Sequence, residues 1–120
     1  MSSKKIPPKV QQYLKQMDDL QKTYASIITQ KQQLQLSFAE YKNALEALKY
    51  APEESSVYKL IGNIFFKADR EKLEEELNES IELLQARIKA LESQETRIVE
   101  ELNKLKSEVT KMLSESPSSS

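Results

Sequence analysis

From Val10 onward, alternating steps of three and four residues land on Tyr13, Met17, Leu20, Tyr24, Ile27, Lys31, Leu34, Phe38, Tyr41, Leu45 and Leu48. Eleven of these twelve positions are apolar. A repeat of about 3.5 residues keeps one stripe of a helix turned toward a partner helix over many turns, which is the seam of a left-handed coiled coil. Pro8 suits a first helical turn, where its missing N–H is no loss. Pro52 pushes Ala51 out of the α region and stops the helix. The first helix is therefore predicted over residues 8–50, about 60 Å at 1.5 Å per residue.

The second half repeats the pattern at Leu77, Ile81, Leu84, Ile88, Leu91, Glu95, Ile98, Leu102, Leu105, Val109 and Met112, with one charged position in eleven. Asp69 can cap this element, and Glu71, Glu74, Glu75 and Glu76 lie where the helix dipole favours negative charge. A second helix is predicted over residues 69–113, followed by a disordered tail at 114–120 that contains Pro117 and a run of serines. Two helices of nearly equal length about a short connection predict an antiparallel hairpin. Leu48 then faces Leu77, Val10 faces the region of Val109 to Met112, and both termini lie at one tip. Lys31 and Glu95 are the two seam defects; in this register Lys31 falls nearer Lys89 than Glu95.

Between the helices the pattern changes. Residues 57–67, VYKLIGNIFFK, hold two β-branched and aromatic runs separated by Gly62-Asn63, a two-residue hairpin turn. Gly62 is the chain's single glycine, and its place here strengthens the turn assignment because glycine takes positive φ at little cost. Alternation puts Val57, Lys59 and Ile61 on one face and Tyr58 and Leu60 on the other, so both faces are mostly apolar. A lone two-stranded hairpin is marginal in water and carries two unpaired edges. Burying about five of these side chains at roughly 1.5 to 3 kcal/mol each would contribute on the order of 10 kcal/mol per hairpin. The pattern therefore predicts hairpins from several chains pairing edge to edge into a sheet or barrel. The competing reading folds the hairpin back onto its own helices. Were assembly to occupy the hairpin end, the apolar residues at the opposite tip would be available to bind other molecules. These include Ile6, Leu14 and Leu113, which the seam does not use, and the adaptable Met17 and Met112.

Composition narrows the chemistry. The 120 residues contain no Cys and no His, which removes disulfides, thiol and imidazole catalysis and the common zinc sites. With no Gly-rich phosphate loop or nucleophile motif, no catalytic, cofactor-binding or metal residue is expected, and an enzyme is not predicted. Neither a signal-peptide run nor a stretch of about 20 apolar residues occurs, so the expectation is a cytoplasmic protein with no membrane contact. Asn78-Glu79-Ser80 matches a glycosylation acceptor only as a chance pattern on a helix face. The net charge of −1 conceals an asymmetry: residues 1–50 carry eight Lys against four acids, and residues 51–120 carry ten Lys and Arg against fifteen acids. The lysines of the first half are spread along the helix, as solvated flanks of two attracting helices would be, so nucleic acid is not expected as a partner.

Three stretches together carry a family resemblance: IPPKVQQYLKQMDDLQ, PEESSVYKLIGNIFFK and EKLEEELNESIELLQARIKALESQE. The chain from about Ile6 to Leu113 resembles the β-class subunit of prefoldin, especially of the archaeal type. The specific part is VYKLIG and a short apolar strand set between equal helices after a proline-acidic break, and the single hairpin points to the β class. The resemblance implies a mainly α fold, a long antiparallel two-helix coiled coil joined by one β-hairpin that forms an intersubunit β-barrel, with residues 1–120 as a single domain. It also implies a hexamer of two α-class and four β-class subunits, acting as an ATP-independent holdase. Such a complex binds unfolded clients at the coil tips and passes them to a group II chaperonin. Carried over, the assembly residues are Val57, Leu60, Ile61, Gly62, Ile64, Phe65 and Phe66. The client contacts are Ile6, Val10, Tyr13, Leu14, Met17, Val109, Met112 and Leu113. Lys4, Lys5, Lys9, Lys111 and Glu115 are candidates to meet the chaperonin. The alternatives are an architectural coiled-coil tether, or a helical arm that grips RNA with Lys4, Lys5 and Lys9.

Overall fold

The computed structural model describes residues 6–115, as two long helices with a strand pair between them: α1 Pro8–Tyr50, β1 Val57–Ile61, β2 Ile64–Ala68 and α2 Arg70–Glu115. α1 starts and stops where its prolines require. The Gln11 N–H donates to the Pro7 carbonyl at 3.0 Å, and the Gln11 side chain donates to the Ile6 carbonyl, so two groups just outside the helix are satisfied by its first turn. The last regular bond runs from the Ala51 N–H to the Ala47 carbonyl, and a turn from Pro52 to Ser55 follows. Asp69 stands one residue outside α2 and accepts the Leu73 N–H, as a residue at the N-cap does. α2 therefore begins one residue later than expected. It also runs two residues further, to Glu115, because nothing before Pro117 obliges it to stop. The remainder of the expected tail, residues 116–120, lies outside the described residues.

The seams sort as the periodicity requires. All eleven predicted α2 positions are buried or half-buried, as are eleven of the twelve on α1. Tyr41 is the exception at 41% exposure. A tyrosine tolerates partial exposure because its hydroxyl can be served by water while its ring remains an apolar body. The defects Lys31 and Glu95 are both half-buried. Among the described residues, those fully buried are all apolar.

Two compact units divide these elements. One joins residues up to Gln30 with those from Leu91 onward, and is called here the terminal unit; the other, Lys31–Ala90, contains the strands. In the terminal unit Val10, Ile27, Ile98 and Val109 are buried, and Tyr13 shares a groove with Leu105 and Glu108, so the start of α1 lies beside the end of α2. In the strand-bearing unit Leu45, Leu48 and Leu84 are buried, and the end of α1 is hydrogen-bonded to the start of α2. Each unit is thus an antiparallel helix pair.

β1 and β2 pair antiparallel with Val57 opposite Ala68, Tyr58 opposite Lys67, Lys59 opposite Phe66, Leu60 opposite Phe65 and Ile61 opposite Ile64. Gly62 has φ of +62°, and among the described residues no non-glycine takes positive φ. A positive φ at Gly62 followed by a negative one at Asn63 is the φ signature of a type II′ turn, one of the two turns whose twist suits a two-residue hairpin.

Candidate functional site

The strand pair is a ribbon with little cover. Directly paired residues share a face, so Val57, Lys59, Ile61, Ile64, Phe66 and Ala68 form one side and Tyr58, Leu60, Phe65 and Lys67 the other. Leu60, Ile61, Ile64, Phe65 and Phe66 are all exposed, Phe65 at 70%. Only Val57 and Ala68, at the base, are half-buried. The reading in which the ribbon folds back under its own helices is therefore excluded, because neither of its faces is covered. Tyr58 is also exposed and shares a face with Leu60 and Phe65. It belongs with the ribbon set, although the predicted residues omit it; strict alternation along β1 is the signal that finds it. No atom lies within 4 Å of where a Gly62 Cβ would stand, so the turn needs glycine for its backbone and not for space.

Two polar ties hold the ribbon's base. Lys59 Nζ on β1 donates to Glu76 Oε2 on α2 at 2.9 Å, an exposed ion pair. Arg70 reaches back to the end of α1: its Nη2 donates to the Leu48 carbonyl and to the Ala51 carbonyl at 2.8 Å, and its Nη1 donates to the Pro52 carbonyl at 3.0 Å. The sequence reading passed over Arg70. The available signal is a helix that ends in Ala51-Pro52 with no glycine to close it, which leaves carbonyls in need of a donor.

The terminal unit separates its predicted client contacts into three groups. Ile6, Leu14 and Leu113 are exposed, Tyr13, Met17 and Met112 are half-buried, and Val10 and Val109 are buried, Val10 at 1%. The reason is positional: Ile6, Leu14 and Leu113 lie outside the seams, whereas the other five are seam residues, of which the small Val10 and Val109 pack fully and the longer Tyr13, Met17 and Met112 keep part of their surface in water. Val99, outside the seam, is a further exposed apolar residue of this unit. The groove at Tyr13 has a volume of about 570 Å³ and mixes Arg97 and Lys104 with Glu100, Glu101 and Glu108, so it favours neither sign of charge strongly. Lys9, Lys111 and Glu115 are exposed, whereas Lys4 and Lys5 lie outside the described residues. Among the described residues no group of acidic side chains is placed to hold a metal ion, and no helix is long and apolar enough to cross a membrane.

Antiparallel helix pairs with an uncovered apolar ribbon at the join define a helical-hairpin protein whose connecting strands are available to other chains. A family model described as prefoldin subunit matches residues 11–116. The prefoldin subunit beta of Thermococcus kodakarensis is 37% identical over 108 residues, spanning 90% of this chain and 92% of that one. That of Thermococcus onnurineus is 41% identical over 100 residues, 83% of this chain and 86% of that one. The crystal structure of the prefoldin beta subunit from Thermococcus strain KS-1 superposes with a TM-score of 0.83 at 35% identity, covering 96% of this chain and 99% of that chain. The chain belongs to the prefoldin subunit family, in its archaeal-type β class.

Proposed function

We propose that the chain is a subunit of a cytoplasmic, ATP-independent holdase, a hexamer of two α-class and four β-class subunits. In this assembly the ribbons pair into intersubunit barrels, and the terminal units hold non-native chains before transfer to a group II chaperonin. The observation that carries the reading is the ribbon, which leaves five predicted apolar residues and Tyr58 in water. Apolar surface of that kind is retained where a partner covers it. Client contact falls to Ile6, Leu14 and Leu113, with the half-buried Tyr13, Met17 and Met112 adapting beside them. Val10 and Val109 support these residues from the seam and touch no client directly. Weak, scattered apolar contacts suit a surface that accepts many sequences, since no single contact demands one shape.

The test is light-scattering aggregation of a denatured model protein without ATP, in the presence of the chain assembled with an α-class subunit. The intact complex should suppress aggregation. A complex carrying I6S, L14S and L113S should reach the same mass and suppress it much less. Equal suppression by both complexes would remove the client role from these residues. An intact complex that leaves aggregation unchanged would reduce the assembly to a tether.

A further inference from the structure

Pro52 creates a defect that Arg70 repairs. In a continuing helix the N–H of residue 52 would bond to the Leu48 carbonyl, and proline has no N–H to give. Arg70 Nη2 takes that carbonyl instead, and the same guanidinium serves Ala51 and Pro52. A cation there also faces the negative end of the α1 dipole. The consequence reaches the ribbon through connectivity. β2 ends at Ala68 and α2 starts at Arg70, so Asp69 alone separates them, and whatever holds Arg70 holds the base of β2. On the other strand, Lys59 is tied to Glu76, a turn and a half further along α2. β1 is therefore tied to α2 directly through Lys59, and β2 is held through the chain next to Arg70.

We propose that Arg70 is a positioning residue for assembly, fixing the direction in which the ribbon leaves the helices so that it meets the ribbon of a second subunit in register. Strands pair only at a spacing of about 4.8 Å, and a slip of one residue turns every side chain to the wrong face. A ribbon free to swing at its base must be ordered at the moment of association, which weakens binding without removing any contact. The Lys59–Glu76 pair acts in the same sense from β1. This inference rests on the ribbon-pairing reading given above.

The experiment follows the mass of the complex with an α-class subunit by light scattering during dilution, with far-UV ellipticity recorded on the same samples. R70A should keep its helical signal yet require about tenfold higher concentration for half-assembly, and R70K, which cannot span three carbonyls with one ammonium, should fall between. K59E should weaken assembly, and the exchanged pair K59E/E76K should recover it. R70A assembling at the wild-type concentration would overturn the proposal. So would a loss of assembly that merely tracks lost helix, since that is what a purely structural role predicts. F65D separates the two readings. If F65D assembles normally, ribbon pairing itself fails; if F65D dissociates while R70A does not, only the positioning role fails.

Discussion

Truncating Phe65 to alanine removes the most exposed large apolar side chain of the ribbon, and the structure sets the size of the effect. Phe65 is 70% exposed in the single chain and stands across from Leu60. Full burial of a phenylalanine is favourable by roughly 1.5 to 3 kcal/mol, so about 1 to 2 kcal/mol of that remains to be gained when a partner covers it. Losing this amount weakens each ribbon contact by roughly 5- to 30-fold, at about 1.4 kcal/mol per factor of ten. The fraction already buried within the chain is small, so the thermal midpoint of the isolated subunit should hardly move. The assay is sedimentation velocity over a dilution series with an α-class subunit, paired with thermal unfolding of the subunit alone. Unchanged assembly would refute the reasoning, because Phe65 would then lie outside the interface. A large fall in the midpoint of the isolated chain would refute it from the other side, by placing the ring inside its own fold.

Three further outcomes follow from the geometry. R70A leaves the part-buried Leu48 carbonyl without its donor, at a cost of about 1 to 3 kcal/mol in urea unfolding, and this cost should shrink in a P52A background, where residue 52 regains an N–H; equal costs in both backgrounds would remove the repair role. G62A should cost about 1 to 2 kcal/mol in urea unfolding of the subunit alone, all of it backbone strain at φ +62° because no neighbour within the chain crowds the site, and G62N should cost less; a neutral G62A would mean that the turn relaxes freely. I27A, at a buried seam position, should lose about 2 to 3 kcal/mol, whereas L36A on the exposed face should stay within about 0.5 kcal/mol; similar urea midpoints for the two variants would contradict the seam.

Both ends of α1 were legible because Pro8 and Pro52 act on their own residue and its immediate neighbour, so no distant contact is needed to place them. The seams were legible because a stripe repeated over many turns averages out single exceptions such as Tyr41. Gly62 was legible as the only glycine of the strand-like stretch, the residue type that takes positive φ at least cost. Arg70 was not. Its bonds reach carbonyls up to 22 positions earlier, and no local pattern announces a side chain that completes another helix. The burial of two expected client residues was not legible for a different reason. Val10 and Val109 satisfied the seam rule and the end-of-chain rule together, and only packing shows that they are buried in the seam. Ile6, Leu14 and Leu113, which the seam never claimed, are the residues that face solvent.

The chain is synthesised from its first residue onward, and Arg70 emerges 22 residues after Leu48. At about 5 to 20 residues per second, the growing chain carries an unfinished end of α1 for on the order of one to several seconds. Throughout that interval the Leu48 carbonyl lacks the guanidinium that serves it in the folded chain, and the ribbon, which lies between the two residues, is synthesised before the clamp at its base can close. Satisfying the end of α1 and setting the base of the ribbon are therefore coupled events in the life of the nascent chain, because one guanidinium serves both.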